Sequence, residues 1–141
     1  MRSSLKVLAL RVVVTMLVAC GPLCGCGSVT LVVSLDEALR ATSTVVPVEV
    51  RGIVGAGAAR DVLRTTFEPG HVGPIVLEPG HPLRERWRDE GVRRARVTAD
   101  IPGVDETRQT VEVDLDPAAW TAGRVEVRVG ARGVRVVTPP R

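Results

Sequence analysis

The segment Glu68-Pro69-Gly70-His71 returns ten positions later as Glu78-Pro79-Gly80-His81, and these two are the only histidines in the chain. Carboxylate and imidazole both ligate metals, and both move protons in general acid-base chemistry. A Pro-Gly centre fits a type II turn, which brings Glu and His of one copy within about 7 Å between Cα atoms. Each copy could therefore supply two ligands. If Val72 to Leu77 is extended, the two turns stand roughly 20 Å apart at about 3.3 Å per residue, and the pairs face away from each other. A bend at Gly73-Pro74 would instead gather Glu68, His71, Glu78 and His81, as a metal-dependent envelope hydrolase would need. The extended reading is the one favoured, so no metal and no cofactor are expected.

Other catalytic readings meet obstacles in the residue inventory. Past Ser43 there is no Ser, Cys, Lys, Tyr or Asn, which removes serine and cysteine nucleophiles and lysine bases. Aspartate and glutamate are plentiful, yet nothing in their spacing singles out an acid-base pair. Gly55-Ala56-Gly57-Ala58-Ala59-Arg60, with Glu78 roughly 20 residues on, imitates a dinucleotide fingerprint. Arg60 stands where the third glycine should allow close helix packing, so a glycine turn is expected there. The arginines Arg84, Arg86, Arg88, Arg93, Arg94 and Arg96 surround Trp87 and could grip phosphate. Glu85, Asp89 and Glu90 interleave with them, which predicts a salt-bridged surface.

The elements that must hold these residues read mostly as strands. Hydrophobic residues make up 45% of the 141 and aromatic ones 2%, with no Tyr and one Phe. The core must be built from Val, Leu, Ile and Ala, which suits pleated sheets. Val48, Val50 and Val54 alternate with Glu49, Arg51 and Ile53 after Pro47. The same period-two pattern recurs at Ala95 to Asp100, Val111 to Leu115 and Arg124 to Val129, each predicting a strand with one face on a core and one in water. Gly130-Ala131-Arg132-Gly133 should turn the last of these into Val134 to Val137, with Glu126 pairing across to Arg135. Ser34 and Glu37 have capping-box spacing, predicting a short helix over Leu35 to Ala41. Pro82 to Glu90 should form a second, with Leu83 and Trp87 on one face and Gly91 as its stop, and Asp116-Pro117 should start a turn carrying Trp120. Both indoles are expected to be lids on the core.

The formal charge of +3 invites a nucleic-acid reading that its distribution removes. Arg2, Lys6 and Arg11 all precede Cys20, and no acidic residue precedes Asp36; without those three the balance is zero, so no nucleic-acid partner is implied. The order basic Met1 to Lys6, apolar Val12 to Val18, then Leu17-Val18-Ala19-Cys20 is that of a secretion signal. These four residues resemble the lipobox of bacterial lipoproteins. The resemblance implies cleavage after residue 19, an acyl anchor such as palmitate on Cys20, and export to the cell membrane or outer membrane. Two other outcomes stay open: an uncleaved anchor joining Val12 to Leu35, against which Gly21, Pro22, Gly25 and Gly27 argue, and cleavage without lipid. All three cysteines lie between Cys20 and Cys26, so none can staple the domain, and Cys24 with Cys26 lacks zinc-site spacing and a second pair.

Val46-Pro47-Val48-Glu49-Val50-Arg51, Arg96 to Ile101 and Gly133 to Pro139 resemble, in that order, segments of the YbbR-like repeat. That likeness implies a small β domain outside the membrane behind an N-terminal anchor, regulating, in some members, a cyclic-dinucleotide-making partner. Ser34 to Val54 equally looks like the helix-then-strand opening of some exported OB-like barrels. The sequence thus predicts a signal peptide over 1–19, a lipid-attached tether over 20–33, and a mainly β domain over 34–141. That domain should be a small antiparallel β sandwich or barrel with two or three short helices. Its expected role is binding or scaffolding an envelope protein or polymer, with an envelope hydrolase using His71 and His81 as the alternative.

Overall fold

The computed structural model describes residues 28–70 and 73–141. Eight strands form two four-stranded sheets packed as a sandwich, in the orders β4-β1-β7-β8 and β3-β2-β5-β6. The strands are β1 (Thr30–Leu35), β2 (Val46–Val54), β3 (Gly57–Phe67), β4 (Ile75–Leu77), β5 (Arg94–Ala99), β6 (Thr110–Asp114), β7 (Arg124–Gly130) and β8 (Gly133–Val136). Two helices, α1 (Glu37–Arg40) and α2 (Pro82–Asp89), complete the regular structure with 3-10 turns at Glu106–Arg108 and Pro117–Ala119.

The alternating residues do what their period requires. Val46, Val48 and Val50 of β2, Ala95, Val97 and Ala99 of β5, and Val125, Val127 and Val129 of β7 are all buried in one core. Their charged neighbours line the water-facing sides. In β2 the alternation breaks at Gly52-Ile53, both buried, where a bulge shifts the register against β3. The bulge makes room for the helix: Trp87 lies so close that a Cβ on Gly52 would sit 2.9 Å from its Nε1.

The domain starts earlier than the expected boundary at Ser34. β1 pairs with β7 on one side and β4 on the other, and Leu31, Val32 and Val33 are all buried. A strand covered on both faces reads as a continuous apolar run. That is also the signature of a leader's tail, so Val29 to Val33 was indistinguishable from tether. Every pair is antiparallel except β1 with β7, which is parallel.

Two local expectations, the Ser34 cap and the Glu126–Arg135 pairing, are corrected, and the glycine turn at Gly55 is found as expected. Ser34 does not cap α1; Asp36 occupies that position without a side-chain cap bond. The Ser34 hydroxyl instead donates to Glu126 at 3.0 Å. Gly55 to Arg60 is a β2–β3 hairpin, with Val54 opposite Gly57 and Gly55 at φ +55°, so no helix follows to receive a dinucleotide. Across β7 and β8, Arg128 faces Arg135. Glu126 bonds to Arg128 at 3.0 Å, while Arg135 reaches Asp36 at 3.8 Å.

Candidate functional site

The topology sorts the loops into two ends. At one end the chain enters at Ser28, and the β2–β3 turn, α2, the β6–β7 loop and the C-terminus gather around it. At the other lie α1, the turn after β3, the β5–β6 loop and the β7–β8 turn. The two Glu-Pro-Gly-His turns fall at opposite ends. Glu68 follows β3 beside α1, where it borders a small hollow with Leu39 and Thr42. Glu78 follows β4, which runs back toward the start of β1, and its turn leads into α2.

His71 lies outside the described residues, so the shared-ion arrangement is resolved only for its partners. His81 is engaged: its Nδ1 accepts the Leu83 backbone N–H at 3.2 Å as the cap of α2. Its turn is closed by His81 N–H to the Glu78 carbonyl at 2.9 Å. Gly70 has the positive φ of +84° that a type II turn needs, whereas Gly80 has no positive φ. Gly70 thus has the backbone sign that the type II expectation requires, with His71 outside the described residues, and the expectation is corrected for the second turn. Among the described residues no three His, Cys, Asp or Glu side chains come together as a metal site would require. Cys20, Cys24 and Cys26 also lie outside the described residues.

Both tryptophans are core lids with a polar handle. Trp87 is 1% exposed and donates its indole N–H to the Asp61 carbonyl at 3.0 Å; Trp120 is 7% exposed and donates to the Asp114 carbonyl at 2.8 Å. Asp114 ends β6, and Asp61 lies on β3 where the bulge leaves it out of the β2 register, so each indole satisfies a backbone carbonyl at an end or a break of the ladder.

Within the arginine-rich stretch Arg86, Arg88, Arg94 and Arg96 are ion-paired as expected. Arg86 meets Asp61 at 3.3 Å, Arg88 meets Glu85 at 2.5 Å, and Arg94 and Arg96 both reach Glu112. On the same outer face Glu49 joins Arg51 and Arg64. Arg84 departs from the pattern: it is 4% exposed, and burial pulls its guanidinium below the usual arginine value against the opposing charge of Glu85. Its position three residues before Trp87 placed it on the core side of α2, a signal available in the spacing.

Two hollows flank the sandwich. One, of about 590 Å³, opens beside α2 and is lined by Ser28, Arg84, Trp87, Arg88, Val92 and Asp116. The other, of about 500 Å³, lies at the α1 end between Asp36, Arg108, Thr110, Arg132 and Arg135.

Two-sheet sandwiches of this size occur among solved structures that superpose on the chain. A chain in the structure of the T6SS protein TssM C-terminal domain (869-1107) from EAEC matches with TM-score 0.56 at 14% identity, over 80% of this chain and 99% of that one. Lip from Serratia marcescens, a membrane-bound component of the Type VI Secretion System, gives 0.52 at 13% identity over 79% and 98%. The T6SS lipoprotein TssJ1 from Pseudomonas aeruginosa gives 0.51 at 11% over 81% and 98%. The fold is shared with Lip and TssJ1. At these identities the likeness is one of fold. No family model matches the chain, and no curated protein matches it. The likeness to the YbbR-like repeat is accordingly unsupported, and it rested on Val-rich alternation that any half-buried strand shows.

The carboxylates that tie the outer faces set an acid limit. Glu49, Glu112 and Glu126 are held below the ordinary glutamate value first by hydrogen bonds from Arg64, Arg96 and Arg128 respectively, against a smaller opposing effect of burial. A depressed carboxylate contributes stability that is complete above its unfolded value of about 4.3 and is lost as pH falls through the lower folded value. Thermal melts followed by circular dichroism should therefore stay level from about pH 8 to 6 and fall below about pH 4. A midpoint unchanged down to about pH 3 would show that these pairs do not distinguish the folded chain from the unfolded one.

Proposed function

We propose that the chain is an envelope-tethered, non-catalytic binding module, lipidated on Cys20 after removal of residues 1–19, that docks onto a protein component of a type VI secretion assembly. The supporting observation is the sandwich itself, entered by the chain at one end and shared with a T6SS lipoprotein and a membrane-bound component of that system. The outer faces agree with this, since Glu49 and Glu112 there are ion-paired to arginines. A tether at the Ser28 end leaves the α1 end facing away from the membrane. Exposed Arg108 and Arg132 border the hollow there, a surface suited to a partner with complementary acidic groups.

The test uses the full chain recovered from membranes. Intact mass should show acyl chains on Cys20. The same preparation should bind a TssM-type C-terminal domain from its own organism with a dissociation constant of about 1 µM or tighter, weakened about ten-fold or more by R108E/R132E. Retention of Met1, lipid on Cys26, or no binding at about 100 µM would overturn the reading.

A further inference from the structure

Arg84 is the one charged side chain among the buried residues described, and its hydrogen bonds go to no carboxylate. Nη1 donates to the Val29 carbonyl at 2.8 Å and to the Leu77 carbonyl at 3.0 Å, and Nη2 donates to the Ser28 hydroxyl. A cation taken out of water and held only by neutral acceptors is costly to keep. Leucine or methionine would fill the same volume beside Trp87 at lower cost, so filling space does not account for it.

What an arginine adds is a junction of three segments at the point where the chain enters the sandwich. Leu77 is the last residue of β4 and faces Leu31, the first residue of β1 to pair with it. Val29 and Ser28 lie just before β1. The guanidinium therefore continues the β1–β4 connection past the end of its ladder, and it does so from α2. That helix is anchored independently, by Trp87 to β3 and by the Arg86–Asp61 pair.

We propose that Arg84 is a clasp that keeps the start of β1 closed against a pull on the N-terminal segment. The proposal rests on the tethered reading given above. A pull along β1 loads its bonds to β7 and β4 together, whereas an oblique pull opens them one at a time from Thr30. The clasp sits ahead of Thr30, on the residues that the oblique pull must lift first, and passes the load to α2. Local opening of a strand end needs far less free energy than global unfolding, so this end is where a tethered domain would otherwise fray.

Hydrogen-deuterium exchange of the purified full chain tests this. In R84M, the amides of Leu31 to Val33 should exchange about ten-fold or more faster, while those of Ala95 to Ala99 in the other sheet stay unchanged. S28A, which removes one bond and leaves the helix intact, should give a smaller rise confined to the same amides. Even acceleration across both sheets would make Arg84 an ordinary core residue and overturn the proposal. So would unchanged exchange at Leu31 to Val33 in S28A and R84M alike; if R84M does not fold, the S28A result decides. Force spectroscopy adds the load: the force needed to unfold S28A should fall when the chain is pulled by its N-terminus and stay at the parent value when it is pulled between the β2–β3 turn and the C-terminus. Equal losses in both directions would also overturn the clasp. Loss of the lipid on Cys20 would defeat the tethered reading while leaving the exchange result standing, so the two failures are distinguishable.

Discussion

Replacing Trp87 by alanine is expected to cost about 3–5 kcal/mol, a large share of the 5–15 kcal/mol that holds a typical domain folded. The side chain is 1% exposed and lies over the β2 bulge at Gly52, where Val92 also closes in on the glycine. Its removal has two consequences: it opens a cavity under α2 that the rigid sheet cannot fill, and it strands the Asp61 carbonyl that the indole had satisfied. Each adds to the lost transfer energy. Urea titration followed by far-ultraviolet circular dichroism measures the loss, and W87F separates its parts. Phenylalanine keeps most of the volume and drops the donor, so it should cost clearly less, about 1–2 kcal/mol. A W87A cost below about 1 kcal/mol would mean that α2 can leave the sheet without loss. The bulge would then have no packing reason.

How much of this arrangement could be read beforehand depends on whether neighbouring residues or distant ones decide it. β5, β6, β7 and the β7–β8 hairpin were legible because each has one wet face, and a wet face writes a two-residue period into the chain. The start of α2 was legible from Pro82 at its first turn, and its end from Gly91, which takes φ +75°. β1 was hidden because Val32 is buried even on the outer face of its sheet, which erased the alternation. Its parallel pairing with β7 joins residues nearly a hundred positions apart, and no local pattern encodes that. The Glu126 to Arg135 pairing failed by two residues: Gly130 faces Gly133, so the register puts Arg128 opposite Arg135 instead. In the candidate site, the opposite placement of Glu68 and Glu78 agrees with the extended reading of the segment between them, of which Ile75–Leu77 forms β4. Arg84 escaped because arginine in an Arg-rich stretch reads as solvated surface, and the three-residue spacing to Trp87 was outweighed by composition.

The β7–β8 turn concentrates the other large effect in one hydrogen atom. Gly133 has φ +131°, a region that side chains on Cβ exclude. It also lies against the 3-10 turn of the opposite sheet, where an added Cβ would stand 2.4 Å from the Arg108 carbonyl oxygen and 2.9 Å from the Arg108 Cβ. The first obstacle is backbone atom against side chain, so no rotamer relieves it. One methyl group must then either unwind the start of β8 or push Glu106–Arg108 away, and β6 with β8 is where the two sheets meet along that side. G133A should therefore cost about 2–5 kcal/mol, the sum of backbone strain and overpacking. Two further glycines separate those contributions. Gly55 shares a positive φ but has nothing within 4 Å of its added Cβ, so G55A should show the conformational part alone, about 1 kcal/mol. Gly123 has neither a positive φ nor a neighbour within 4 Å, and G123A should stay within about 0.5 kcal/mol of the parent. Denaturant titration of the three variants gives the order directly. If G133A costs no more than G55A, the contact with Arg108 yields freely, and the sheets are not held in register at that corner by the close approach of Gly133.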